Sequence, residues 1–158
     1  MESNHEVKKS IQVEELKHLQ IEILKAIDKF CKENDIQYYL FAGTLIGAAR
    51  HRGYIPWDDD IDICMLRKDY DKFFKLFNAN RTDNFKAINH DIMPEYYLAS
   101  GKVVNTDTVL IEETTFKVPL GVYIDVFPMD NVPNDDKKLS GFNKRIKPYR
   151  DLLQLKAI

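Results

Sequence analysis

Four aspartates, Asp58, Asp59, Asp60 and Asp62, fall within five positions of the chain and run into the apolar residues Ile61, Ile63, Cys64 and Met65. Two carboxylates about 5 Å apart repel by roughly 3 kcal/mol at an effective dielectric near 20. A chain that holds several of them beside a core strand offsets that repulsion with a bound cation. From Asp60 the residues alternate, with Asp60, Asp62 and Cys64 on one side and Ile61, Ile63 and Met65 on the other, which is the period of a strand. At about 3.3 Å of rise per residue the α-carbons of Asp60 and Asp62 stand roughly 6.6 Å apart on one face. Their carboxylates can then share one hard cation or a pair of them. Asp125 is the lone charge in Gly121-Val-Tyr-Ile-Asp-Val-Phe127, where an unpaired carboxylate is costly to bury, so it is the natural third ligand. Three carboxylates facing one point suit Mg2+ or Mn2+ bridging substrate phosphates.

Upstream lies the matching half of a phosphate site. Gly43-Thr44 reads as a strand-to-helix turn, where free backbone N–H groups and the helix dipole attract an anion. Arg50, His51 and Arg52 follow as charge-assisted donors to phosphate oxygens. An anion cradle followed by a carboxylate cluster is what metal-assisted phosphoryl transfer requires. Plainer readings stand beside this one. Asp58 and Asp59 can cap a turn after Pro56-Trp57, Gly43 and Gly47 can serve close helix packing, and Arg50 and Arg52 can be solvated surface charges. Trp57 reads as a packing residue rather than a base-stacking platform. A calcium loop is disfavoured, because counting from Asp58 puts Ile63 where the obligatory glycine belongs and Asp69 where the bidentate glutamate belongs.

The elements that must position these residues follow from periodicity. Residues 1–9 read as a disordered lead-in, and Ser10 caps a helix running to about Asn34, with Leu16, Leu19, Ile23, Ile27 and Phe30 on its apolar stripe. Gln37–Phe41 reads as a short buried strand, Leu45–His51 as a brief helix ended by Gly53 and Pro56, and Lys68–Asn80 as an amphipathic helix burying Tyr70, Phe73, Phe74 and Phe77. Strands are expected at 85–89, 96–104, 109–112 and 121–127, and a basic helix with Leu152, Leu153 and Leu155 from Asp136 to Ile158. This order predicts an α+β fold, a mixed sheet flanked by helices, in one domain over residues 10–158.

Composition sets outer bounds. With 158 residues, 44% hydrophobic and 30% charged, the chain reads as a single globular domain. A net charge of -2 argues against general nucleic-acid binding. Cys31 and Cys64 lie in apolar surroundings with no paired spacing and read as reduced core thiols. The N-terminus is polar, with no secretory signal, and no apolar run approaches the roughly 18 residues of a membrane helix, so the cytoplasm is the default location.

The stretch Tyr39-Leu-Phe-Ala-Gly-Thr-Leu-Ile-Gly-Ala-Ala-Arg-His-Arg-Gly-Tyr-Ile-Pro-Trp-Asp-Asp-Asp-Ile-Asp-Ile63 resembles the signature of the LicD family, which includes the fukutin-related proteins, and Gly121–Asp130 resembles that family's second motif. The resemblance covers roughly residues 11–158. It implies the nucleotidyltransferase superfold and transfer of a phospho-alcohol, typically phosphocholine from CDP-choline, to a sugar of a cell-surface glycan, teichoic acid or lipopolysaccharide. By position, Asp60, Asp62 and Asp125 are implied as metal ligands, with Asp125 also the base on the acceptor hydroxyl. Gly43 and Thr44 are implied to hold nucleotide phosphates with help from Arg50, and Lys102 to touch phosphate. A lipid-linked acceptor implies peripheral membrane association. Family members usually continue beyond the final helix, so the domain reads as truncated at its C-terminal end. Three other readings remain open: transfer of the nucleotide itself, a glycosyltransferase of the Asp-x-Asp type, and a nucleotide-binding module without turnover.

Overall fold

A computed structural model describes residues 10–156 apart from 80, 97 and 111–119, with side chains of the last helix described as far as Asp151. Five strands form one mixed sheet. In chain order they are β1 (Tyr39–Leu40), β2 (Asp62–Leu66), β3 (Phe85–Ile88), β4 (Gly101–Asn105) and β5 (Tyr123–Met129), and in space they lie β1-β2-β5-β4-β3. β2 and β5 run parallel, and the other neighbours pair antiparallel. The helices are α1 (Val13–Glu33), α2 (Ala42–His51), α3 (Arg67–Leu76) and α4 (Asp136–Lys156). The expected α+β architecture is the observed one.

The apolar stripes explain the layering. Ile23, Ile27 and Cys31 of α1, and Tyr70, Phe73 and Phe74 of α3, share one core with Ile63 and Met65 of β2, Val103 of β4, and Ile124 and Val126 of β5. Phe30 sits edge-on to Phe73 and Phe77, so α1 and α3 lie side by side on one face of the sheet. The opposite face is covered only in part, where Tyr96, Met93 and Leu98 pack on Ile88 and Val104. Residues alternate along β5, so Tyr123, Asp125 and Phe127 turn to that second face while Ile124 and Val126 are buried. Both cysteines are free and buried, and burial pushes the Cys31 thiol up to about 12.

Several expected boundaries move. α1 starts at Val13, with Gln12 at its cap and no side-chain capping bond, so Ser10 does not cap it; Glu14 and Glu15 favour the first turn through the helix dipole instead. α2 starts three residues early, which places Gly43 and Thr44 inside its first turn, and it ends on Arg52 in the left-handed conformation (φ 57) rather than on Gly53. β2 begins at Asp62, so Asp60 precedes the strand. The strand expected from residue 96 begins only at Gly101, because Met93 and Tyr96 are held in successive turns by backbone bonds to Asn89 and Met93. Leu110 forms a single bridge to Leu120, and the rest of the strand expected at 109–112 lies outside the described residues, as do residues 1–9 and the side chains of Leu152, Leu153 and Leu155. Among the described residues no helix is long and apolar enough to cross a membrane.

Candidate active site

Sheet register assembles the site. Asp62 stands opposite Asp125 across the parallel β2–β5 pair, and Asp125 stands opposite Lys102 across the antiparallel β5–β4 pair. Partners in register point to the same face, so three titratable side chains form one row on the half-open face, with α-carbons about 5 Å apart from strand to strand. The Asp125 N–H donates to the Ile61 carbonyl at 3.1 Å, which fixes the level of the row against the aspartate run. The Lys102 ammonium donates to both Asp125 oxygens, at 2.7 and 2.9 Å, and lies 3.4 Å from the centre of the Tyr123 ring. Lys102 is buried, with 5% of its surface exposed. It is therefore paired with Asp125 in the row.

α2 meets the row at its first turn. The Asp62 N–H donates to the Thr44 hydroxyl oxygen at 2.8 Å, and the Phe41 N–H donates to the Asp62 carbonyl at 3.0 Å. Thr44 thus braces the start of β2, while its own O–H remains able to donate elsewhere. Ala42, the first residue of the helix, takes a positive φ of 45°, a strained geometry for a residue with a Cβ. A Cβ on Gly43 would lie 2.6 Å from Asp58 Oδ2. The Asp58 carboxylate therefore flanks the first-turn N–H groups that have no partner within the helix.

The electrostatics are those of crowded carboxylates. The Asp62 carboxyl is pushed up to about 6, first by burial and then by the charges of Asp60, Asp125 and Asp58, with Lys102 opposing. Asp60 is also raised, by burial, then by Asp58 through charge and a hydrogen bond, then by Asp59 and Asp125. Asp58 and Asp59, read as turn residues, do sit at a turn, since the Asp58 N–H donates to the Ile55 carbonyl at 2.9 Å. They also belong to the same field.

The donor set fits a hard divalent cation. Apart from the Lys102 ammonium, which is paired with Asp125, the facing side chains present oxygen atoms, and a phosphate approaching between Asp58 and the Asp60–Asp62 pair meets net negative charge unless a cation accompanies it. Among the described residues no three carboxylates are already gathered into a metal cage. Mg2+ in general is bound through a few carboxylates and completes its shell with water and substrate phosphates.

The structure thus brings Asp60, Asp62, Asp125, Lys102, Gly43 and Thr44 together. It leaves Arg50 and His51 exposed in the last turn of α2, about 10 Å from Gly43 along the axis at about 1.5 Å per residue. Sequence reasoning missed the Lys102–Asp125 pair, which only sheet order reveals. It also misplaced Trp57, which is 84% exposed rather than packed. The signal was present, since Pro56 and the aspartates around Trp57 mark a surface turn.

A family model described as LicD/FKTN/FKRP, nucleotidyltransferase domain, matches residues 35–156, a span that holds every element of the site. The lipopolysaccharide cholinephosphotransferase LicD of Haemophilus influenzae is 35% identical over 126 residues, which is 77% of this chain and 47% of that protein. Uncharacterized proteins of Rickettsia typhi and Rickettsia prowazekii are 39% and 42% identical over 62 and 48 residues, or 20% and 18% of their lengths. The chain therefore spans about half the length of the first of these relatives (47%) and less of the others.

Proposed function

Because the chain belongs to the LicD/FKTN/FKRP nucleotidyltransferase-domain family, we propose that it is a metal-dependent phosphotransferase. It moves a phospho-alcohol, phosphocholine from CDP-choline, onto a sugar of a surface glycan, teichoic acid or lipopolysaccharide. The observation that supports this most directly is the Asp62–Asp125–Lys102 row facing the first turn of α2. The named activity of the Haemophilus relative supplies the choline and the glycan.

In this reading Asp60, Asp62 and Asp125 would hold Mg2+ or Mn2+, which when bound would neutralise phosphate charge. The first-turn N–H groups of Gly43 and Thr44 orient the donor phosphates. The acceptor hydroxyl oxygen bonds to the phosphorus that carries choline, the bond from that phosphorus to the bridging oxygen breaks, and CMP departs with the electron pair. A carboxylate of the row takes the hydroxyl proton. Lys102 fixes both oxygens of Asp125, so that this carboxylate cannot rotate away from the reacting face. Arg50 and His51 serve the outer rim of the site. A lipid-linked acceptor draws the chain to the cytoplasmic membrane surface.

The test is incubation with CDP-choline, Mg2+ or Mn2+ and a glycan acceptor. Release of CMP with phosphocholine on the acceptor, lost on chelation and in Asp62→Ala, supports the proposal. Pyrophosphate release from CTP would instead establish nucleotide transfer, the second reading, which the nucleotidyltransferase description of the family favours. Metal-independent CMP release at the wild-type rate in Asp62→Ala would refute both.

A further inference from the structure

Trp57 is the single tryptophan of the chain and stands 84% exposed. An indole in water forgoes the burial that drives most aromatic rings inward. A loose loop does not explain the exposure, because the segment around it is clamped on three sides. The Asp58 N–H to Ile55 carbonyl bond closes the turn that carries Trp57. Gly47 of α2 packs so closely on Gly53, Tyr54 and Ile55 that a Cβ there would collide with the Gly53 carbonyl oxygen. The Tyr54 hydroxyl donates to the Gln20 side chain of α1 at 2.9 Å. On the far side of the turn, the Asp58 carboxylate lies against Gly43 at the start of α2. The turn thus holds its backbone in place and presents one ring to solvent beside the aspartate run.

We infer that Trp57, which leads into Asp58 and Asp59 in the chain, is the subsite for the cationic end of the donor, a quaternary ammonium. The inference rests on the phosphotransferase reading for the donor's identity. A methylated ammonium has no N–H to donate, so hydrogen-bond acceptors do not select it. It is held by the negative face of an aromatic ring, tryptophan best of all, and by nearby negative charge. An exposed indole stands here, and the run Asp58-Asp59-Asp60 follows it directly in the chain. A nucleobase would also stack on the indole but would gain nothing from the negative charge of the aspartate run, so this charge favours the cation. The donor then lies with its phosphates toward Asp60, Asp62 and the α2 turn, and its cationic end over Trp57.

The single tryptophan makes the test direct, because its emission reports this residue alone. The full chain is titrated with choline, CDP-choline, CMP and 3,3-dimethylbutan-1-ol, the uncharged isostere of choline, while equilibrium dialysis follows binding separately. Choline and CDP-choline should change the emission saturably, and CMP and the isostere should not. Trp57→Ala should weaken choline and CDP-choline binding about ten-fold, within the range of a partly desolvated cation–π contact, and Trp57→Phe should recover most of the loss. Donor bound without any change in emission overturns the subsite, as does a change produced by CMP alone or by the isostere. Phosphocholine transfer with a silent Trp57 overturns the subsite and leaves the reaction standing. A saturable choline response in a chain that performs no transfer upholds the subsite and overturns the reaction.

Discussion

Replacing Asp62 with asparagine should stabilise the metal-free protein at neutral pH. The exchange keeps the shape of the side chain and leaves the backbone bond from the residue's N–H to the Thr44 hydroxyl in place. What it removes is a charge the fold resists, since the Asp62 carboxyl sits at about 6 against 3.8 for the free group. About two units at 1.36 kcal/mol each correspond to roughly 3 kcal/mol, and solvent screening of this partly exposed group leaves about 1–2 kcal/mol. The raised value means that the folded state binds the proton more tightly than the unfolded state. Stability therefore falls as pH rises from about 4 to about 6, and the full penalty is present above that window. The amide of the variant carries no such penalty. In EDTA at pH 7.5, urea unfolding followed by far-ultraviolet circular dichroism should show Asp62→Asn more stable by about 1–2 kcal/mol, with the two proteins converging near pH 4. Added Mg2+ should reverse the order, because an ion that binds the native wild-type site adds RT ln(1 + [Mg]/Kd) to its stability. A variant less stable than wild type at pH 7.5, or a difference that does not change with pH, would show that the Asp62 charge carries no burial penalty.

Two further sets of substitutions probe the supports of the site. Lys102→Met removes both bonds to Asp125 and the one charge that opposes the rise at Asp62. With the Asp125 side chain 18% exposed, the loss should fall at the lower end of the range for breaking a buried pair, about 3 kcal/mol, and the Asp62 carboxyl should titrate higher still, as read by carboxyl-carbon NMR. The two glycines of α2 should behave differently. Gly47→Ala drives a Cβ into the backbone of Gly53 and brings it to 3.0 Å from the Ile55 nitrogen, which should lower stability by about 1–3 kcal/mol and shift Trp57 emission as the turn moves. Gly43→Ala meets only the end of the Asp58 side chain, which can rotate, so melting should be nearly unchanged while CMP release falls.

Local pattern carried the helices and the aspartate strand. The stripe Ile23, Ile27 and Phe30, and the aromatic series from Tyr70 to Phe77, form the core that covers one face of the sheet. The alternation from Ile61 to Met65 correctly separated the carboxylates from the aliphatics. Register was not legible, because it depends on β5 entering between two strands far from it in the chain. Lys102 and Asp125 are 23 residues apart, and nothing local marks them as partners. Gly101 shows a second limit. Glycine is depleted in strands, yet here the Phe74 ring lies directly over its α-carbon and the strand starts there. Trp57 failed for a third reason, since apolarity predicts burial only where the backbone is not already committed to a surface turn.

The sheet order also bears on how the chain reaches this state. β1 pairs with β2 and β3 with β4, each within a limited span of sequence, but the two pairs are joined only by β5, which comes last of the five. Until residues 123–129 are available for pairing, two separate ribbons each present an unsatisfied inner edge, the kind of surface that templates aggregation. Insertion of β5 closes both edges in one step and aligns Asp125 between Asp62 and Lys102. Completion of the sheet and assembly of the site thus require the same strand. Solubility during synthesis and acquisition of chemistry should therefore depend on the same seven-residue strand.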